Sequence, residues 1–227
     1  MVIHKFASAL TAGFLIAASG TVVRAEVPIN PADFVTRIDN PWLPLQPGTV
    51  RNYQGIKDAT PSILTASVTT KTKTIAGVAC VVVEELLTMA GTPTDRTIGY
   101  YAQDKTGNVW YFGEDVQELG AQGKVVKVEG WHAGIDGAKP GIVMSAQPET
   151  GMELVQTATD DHSAVVSLAK PVKVPMGSYP DALLVKEWTP HEPNVLINKY
   201  YVKGIGLVRD VSVKGDSEEF QLVAITK

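Results

Sequence analysis

Residues 64–69 read Leu-Thr-Ala-Ser-Val-Thr, so apolar and polar side chains alternate through the whole stretch. Alternation with a period of two is typical of a β-strand that buries one face and exposes the other. The same pattern recurs at residues 163–169, with an exception at Val165, and at residues 219–224. The three stretches predict half-buried antiparallel strands.

Turn signals that contain glycine separate the strand-like runs. They lie at residues 90–93, 105–108, 203–206 and 214–216. Their spacing, without helical periodicity between the runs, predicts an antiparallel meander of about nine to eleven strands. Because so many strands must protect their edges, we expect a mostly β fold in which the meander forms a curved sheet or a half-closed barrel.

Two proline- and glycine-rich segments interrupt this pattern. The segment at residues 27–47 contains five prolines, which exclude a long helix and a central strand. Within it, Asn30 offers an N-cap and Pro31 the first helical position, which predicts one short N-terminal helix through Arg37. Residues 130–151 are predicted to form one long loop, and a loop of this length is typically functional or packed as a lid.

The first 25 residues have the organisation of a cleavable signal peptide. A basic start at His4 and Lys5 precedes an apolar run at residues 6–18, and Ala25 ends the cleavage region. A membrane anchor, the alternative, needs an apolar run of about 20 residues, and no later stretch is long enough either. We predict a signal peptide at residues 1–25 and a single β-rich domain at residues 26–227, in the periplasm or secreted.

The composition limits partners and chemistry. The chain has 227 residues, 44% of them hydrophobic, and a net charge of −4, so no nucleic-acid partner is expected. Its single cysteine, Cys80, excludes an intrachain disulfide. Because Cys80 lies among valines, we expect a buried and unreactive thiol.

No motif of a known reaction occurs, such as a nucleophile elbow, a phosphate-binding loop or a His-Glu-x-x-His helix. The best candidates for binding a divalent cation are His132, Asp136 four residues later, and Glu114 in an acidic cluster. The alternative is a hydrogen-bonded loop histidine near solvated carboxylates. No other cofactor is expected.

Aromatic residues are concentrated between residues 100 and 112. On a strand, Trp110 and Phe112 must lie on the face opposite to Tyr111. One set is expected to fill the core and the other to face water or a ligand cavity; packing of both sets in the core is the alternative. The candidate residues for binding an apolar ligand are Tyr101, Trp110, Phe112, Trp131 and Tyr201.

Four motifs together resemble a family of exported bacterial β-rich proteins of unknown function. They lie at residues 39–49 (DNPWLPLQPGT), 101–114 (YAQDKTGNVWYFGE), 130–141 and 199–206. The resemblance covers nearly the whole chain after residue 25 and implies a mostly β domain in the bacterial envelope, without implying a reaction. Members of the family often have a carboxylate where this chain has Asn198. The predicted meander is also loosely similar to the curved sheets of lipoprotein carriers.

Three functions fit these observations. The first is a non-enzymatic binding or carrier protein with an apolar cavity for a small apolar ligand or lipid. The second is a metal-assisted hydrolase that uses His132, Asp136 and Glu114. The third is an envelope assembly or interaction protein that pairs an exposed strand edge with a partner. The lack of catalytic motifs favours the first function, and the sequence indicates no oligomeric state.

Overall fold

The computed structural model describes residues 29–156, 161–215 and 217–227, and the predicted signal peptide lies outside these ranges. Within them the chain forms fourteen β-strands, two short 3-10 turns and no α-helix. The strands are β1 (Phe34–Val35), β2 (Val50–Lys57), β3 (Thr60–Ile75), β4 (Val78–Met89), β5 (Thr92–Asp104), β6 (Val109–Leu119), β7 (Val125–His132), β8 (Gly141–Met144), β9 (Glu153–Val155), β10 (His162–Val174), β11 (Gly177–Trp188), β12 (Leu196–Val202), β13 (Gly206–Lys214) and β14 (Glu218–Thr226).

All fourteen strands belong to one antiparallel sheet, which confirms the predicted mostly β fold. The order is β7-β6-β5-β4-β3-β2-β14-β13-β12-β11-β10-β9, with β1 beside β5 and β8 beside β6. The pairing of β2 with β14 joins the first half of the chain to the last. The end strands β7 and β9 do not pair with each other, so the sheet is not closed. More strands are present than predicted, because β1, β8 and β9 have only two, four and three residues and show no alternation.

The predicted N-terminal helix is wrong. Asn30 does cap a turn, since its side-chain oxygen accepts a hydrogen bond from the Ala32 amide at 3.2 Å, but this 3-10 turn ends at Asp33. The chain then forms β1 and pairs with β5. The Phe34 ring packs edge-to-face on Phe112, with 5.3 Å between the ring centroids. Long-range pairing and packing therefore override the local helix signal.

The stretch predicted to be one long loop is divided by strands. β7 continues to His132, and β8 begins at Gly141 and pairs with β6. The irregular parts are residues 133–140 and 145–152. The glycines misled the prediction because Gly130 and Gly141 lie inside strands. A Cβ at these positions would lie 2.2 and 2.4 Å from the backbone of a neighbouring segment, so the glycines permit close approach rather than a loop.

The sheet curves around a buried cluster on its inner face, because strands far apart in the sheet order contribute to that one cluster. Residues 38–48, here called the plug, fill the space between the two sides. Members of the cluster include Ile38, Leu43 and Leu45 from the plug, Val83, Tyr101 and Tyr111 from one side, and Leu183, Val185 and Tyr201 from the other.

The plug is held in place by hydrogen bonds to the backbone carbonyls of Pro41 and Pro44. Arg51 is 8% exposed, and its guanidinium donates to the carbonyls of Pro44 at 2.8 Å and Ile205 at 3.1 Å. The Gly204 amide donates to the carbonyl of Pro41 at 2.7 Å. Backbone carbonyls that no strand can pair are thereby satisfied.

A second cluster covers the outer face of β4, β5 and β6. Phe112, Val82 and Cys80 are buried there, beneath Phe34 and Ala133. Cys80 is 0% exposed, and burial raises the pKa of its thiol to about 12. A thiol that stays protonated under apolar cover is unreactive, as the sequence predicted.

Candidate functional site

A cluster of charged side chains is buried on the inner face. Lys199 of β12 is 0% exposed, and its Nζ lies 2.5 Å from a carboxylate oxygen of Glu187 on β11. The other oxygen of Glu187 accepts a hydrogen bond from Gln156 Nε2 at 3.1 Å. Asp210 of β13 is the cross-strand partner of Lys199 and is also buried. The charge of Glu85 on β4, across the core, also raises the pKa of Lys199.

These carboxylates hold Lys199 as a cation. Burial by itself lowers the pKa of the amine, but the charges of Glu187, Asp210 and Glu85 together raise it above its ordinary value. An amine with a raised pKa stays protonated at neutral pH and cannot act as a base or a nucleophile. The buried charges therefore form a structural ion cluster that links three adjacent strands.

Three buried tyrosines, Tyr101, Tyr111 and Tyr201, share this interior. Burial is the largest cause that raises the pKa of each hydroxyl; nearby carboxylates raise it further, as does Tyr101 in the case of Tyr111, so all three stay neutral. The Tyr111 hydroxyl donates to a Glu114 oxygen at 3.0 Å, and the rings of Tyr101 and Tyr111 lie 4.8 Å apart. Tyr101 and Tyr201, two of the predicted ligand residues, are thus placed in the packed core.

The other three predicted ligand residues lie elsewhere. Phe112 is fully buried in the outer cluster. Trp110 is half-buried, and its indole Nε1 donates to an Asp104 oxygen at 2.8 Å. Trp131 is half-buried where the inner and outer clusters meet. The five residues therefore do not line one common site.

The inner face contains little empty space. A cavity of about 10 Å³ lies between the plug and the sheet, lined by Leu43, Tyr53 and Val83 among others. This volume is at the lower limit for a single water molecule. Side chains of the protein itself fill the region where the sequence analysis expected an apolar cavity.

The three predicted metal ligands do not converge. Glu114 faces inward and accepts the hydrogen bond from Tyr111, whereas His132 contacts Asp115 of the outer face. Asp136 is exposed in a turn with a φ of 51°. In the part of the chain that the structure describes, no group of three or more His, Cys, Asp or Glu side chains is arranged to hold a metal ion.

His132 belongs instead to a polar cluster centred on Asp115. One carboxylate oxygen of Asp115 lies 3.0 Å from His132 Nε2, and the other accepts a hydrogen bond from the Tyr100 hydroxyl. Lys73 Nζ donates to the same hydroxyl at 3.2 Å and lies 3.5 Å from the carboxylate. The cluster connects β3, β5, β6 and β7 on the outer face.

Asp115 makes this cluster sensitive to pH. Partial burial would raise the pKa of Asp115, but the Tyr100 hydrogen bond and the nearby His132 and Lys73 lower it below its ordinary value of 3.8. Because the pKa is lower in the folded state, the stabilisation is complete above pH 3.8 and is lost as the pH falls through the folded-state pKa.

We expect Asp115→Asn to lower the free energy of unfolding at pH 7 by about 1 kcal/mol, since Asp115 is partly exposed. Urea denaturation between pH 7 and pH 2 measures the difference from wild type, which should shrink in acid. Asp136→Asn, at the exposed turn, is the control and should have little effect at either pH. A difference that grows as the pH falls would contradict this account of the cluster.

A groove opens at the surface beside the plug. Its volume is about 620 Å³, within the range of about 300 to 1,000 Å³ typical of small-molecule sites. Its apolar lining includes Trp42, Leu168, Tyr179 and Val202, and its charged lining is Lys203 and Asp181. Residues 146–148, from the predicted loop, form part of one wall. This surface is here called the rim groove.

The rim groove combines exposed apolar surface with a cation. Leu168 is 41% exposed, although it continues the alternating pattern of β10. Lys203 Nζ lies 5.2 Å from the centre of the Trp42 ring, close enough for a cation–π contact. Such a site can bind an apolar body and, at the same time, pair an anionic group.

The rim groove could not be predicted from the sequence, because its residues come from five separate segments of the chain. The plug supplies Trp42, the segment after β8 supplies residues 146–148, β10 supplies Leu168, β11 supplies Tyr179, and the turn after β12 supplies Lys203. The sequence singles out several of these segments, among them the motifs at residues 39–49 and 199–206 and the loop at residues 130–151, but no pattern brings them together. The buried ion cluster did leave a signal, since Lys199 occupies the same face of β12 as Ile197 and Tyr201, where an apolar residue is expected.

No helix in the described ranges has the length and apolar character needed to cross a membrane.

Comparison with known proteins gives no family: no protein-family model matches the sequence, and no curated protein matches it. Two solved structures are similar in fold. One is a protein from Bacteroides fragilis, inferred to be exported and described as YmcC-like in fold, with a TM-score of 0.47 and 15% identity. The other is an inferred lipoprotein from Parabacteroides distasonis, with a TM-score of 0.45 and 12% identity. Each likeness covers 82% of this chain and 99% of the other.

Proposed function

We propose that the protein is a non-enzymatic binding protein of the bacterial envelope that holds an elongated amphiphile in the rim groove. The observation that carries this proposal is the groove itself, which has a volume of about 620 Å³, an apolar lining and a lysine. The predicted signal peptide supports the location. The packed inner face supports binding at the surface rather than inside the sheet.

The lining suggests how such a ligand lies. Its apolar part contacts Leu168, Tyr179 and Trp42, and its anionic group lies next to Lys203. Burial of apolar ligand surface supplies most of the affinity, at about 25 cal/mol per Å². The exposed ammonium contributes orientation more than affinity, because solvent screens it.

Titration with a dansyl-labelled undecanoate tests the proposal, since this probe has an apolar chain and a carboxylate. We expect saturable fluorescence enhancement with the wild type and about tenfold weaker binding with Leu168→Asp, which places a carboxylate on the apolar wall. Val213→Asp is the matched control, because Val213 is 50% exposed on β13 and lies outside the groove lining. Equal affinities of the two variants, or no binding to the wild type, would contradict the proposal.

Lys203→Glu separates the two parts of the site. We expect it to weaken binding of the undecanoate probe and to leave binding of the uncharged methyl ester of that probe unchanged. Loss of both ligands would show that Lys203 shapes the groove instead of pairing an anion.

A further inference from the structure

Strand β7 forms one end of the sheet and is unprotected at its outer edge. Its inner edge pairs with β6, and within the described ranges no strand pairs with its outer edge. Residues 125–130 are exposed at every position. A row of unpaired backbone N–H and C=O groups on such a strand is a template for another strand.

The opposite end of the sheet differs in this respect. β9 has only three residues, and β8 lies close against it. A Cβ on Gly141 would lie 2.4 Å from the backbone of Gln156. β9 covers only the first three residues of β10, and farther along β10 the edge is interrupted by Pro171, which has no N–H to donate, whereas β7 has eight residues and no proline.

The side chains of β7 are arranged in two rows. Val126 and Val128 lie on one face, and each is 60% exposed. Lys127 and Glu129 lie on the other face, with 2.5 Å between the ammonium and the carboxylate. The outer edge thus presents two valines on one side and two opposite charges on the other.

We propose that β7 pairs antiparallel with β7 of a second copy of this chain, about a two-fold axis at Val128. A two-fold axis perpendicular to a sheet places identical residues opposite each other at the axis, so the register must be centred on a residue. With the axis at Val128, Lys127 lies opposite Glu129 of the partner subunit. By symmetry, Glu129 lies opposite Lys127 of the partner subunit. Val126 and Val128 of both copies then form one apolar patch on the other face.

The charges select this register over its neighbours. An axis at Lys127 would place two lysines directly opposite each other, and an axis at Glu129 would do the same with two glutamates. Like charges in directly opposite positions destabilise a strand pair, and opposite charges stabilise it. Glu118 is the cross-strand neighbour of Lys127 on β6, so charges of alternating sign continue across the joined sheets.

The dimer does not depend on the rim groove, which contains no residue of β7. The interface continues the sheet of one copy into that of the other through backbone hydrogen bonds.

A charge-reversal series tests the interface by analytical ultracentrifugation over a range of concentrations. We expect the wild type to dimerise and Lys127→Glu to weaken the dimer at least about tenfold, because two glutamates then face each other. The double variant with Lys127→Glu and Glu129→Lys restores opposite charges and should restore the dimer. A monomeric wild type, or a double variant no better than the single one, would overturn the proposal.

Disulfide trapping tests the register. The native Cys80 is fully buried, so an introduced cysteine supplies the reactive thiol. Val128→Cys should form an intermolecular disulfide on oxidation, since residue 128 of one copy lies directly opposite residue 128 of the other copy across the axis. Val126→Cys is equally exposed and on the same face, but the two copies lie about 13 Å apart in this register, too far to bridge. Equal trapping at both positions, or none at either, would overturn the proposed register.

Discussion

Replacement of Lys199 by methionine is expected to lower the free energy of unfolding by about 3 to 5 kcal/mol. Methionine keeps an unbranched side chain that is one atom shorter than lysine, but it removes the charge that balances Glu187, Asp210 and Glu85 in the core. Carboxylates left without their cation in a buried site are strongly destabilising. Urea denaturation at pH 7, followed by circular dichroism, measures the loss.

The pH dependence of this contribution follows from the raised pKa of Lys199. Because the folded-state pKa lies above the ordinary value of 10.5, the stabilisation is complete at neutral pH and is lost as the pH rises through the folded-state pKa. The Lys199→Met variant should therefore approach the wild type only in strongly alkaline solution.

Lys71→Met is the matched control for this substitution. Lys71 pairs with Glu84 at 3.3 Å, but its side chain is 74% exposed. An exposed ion pair contributes about 0 to 1 kcal/mol, so the control should differ little from the wild type. A Lys199→Met variant no less stable than the Lys71→Met control would contradict the structural role of the buried cluster.

Gly55→Ala is expected to lower the free energy of unfolding by about 3 kcal/mol or more. Gly55 lies on β2 opposite Phe220, where β2 pairs with β14. A Cβ at this position would lie 1.7 Å from the carbonyl oxygen of Glu219, a distance that backbone atoms cannot accommodate without separating the strands. Since this pairing joins the two halves of the chain, its disruption should affect the whole fold.

Gly48→Ala distinguishes this clash from ordinary glycine replacement. Gly48 has a φ of 85°, but a Cβ there would meet nothing within 4 Å. The control therefore carries only the cost of a left-handed backbone, about 1 to 2 kcal/mol. If the Gly55 variant is no less stable than the Gly48 variant, the close approach of β2 and β14 is not as described.

The alternating stretches were the most informative part of the sequence for the fold. Residues 64–69 lie within β3, and Leu64, Ala66 and Val68 are buried as the alternation requires. The signal fails where strand contacts are long-range. Phe34 and Gly141 belong to strands because of β5 and β6, whose proximity no local pattern reveals.

The paired tyrosines illustrate what a pattern can and cannot predict. Tyr100–Tyr101 and Tyr200–Tyr201 each lie on the incoming strand of a hairpin, and the register shifts between the two tyrosines in both hairpins. The sequence could not indicate that Tyr101 and Tyr201 fill the same core from opposite sides.

The candidate site was harder to predict than the fold, because its residues come together only in three dimensions. His132 was singled out with Asp136, four residues away, but its actual neighbour is Asp115 on the adjacent strand. Leu168 lies in an alternating stretch and Lys203 in a turn motif, but neither pattern indicates that the two side chains line one groove.

The most direct test of the binding proposal is a titration of isotope-labelled protein with dodecanoate, followed by amide chemical shifts. We expect saturable shifts confined to residues around the groove, foremost Leu168, Tyr179 and Lys203. Shifts centred instead on Tyr101 and Leu183 would place the ligand inside the sheet and contradict the account, as would the absence of any saturable shift.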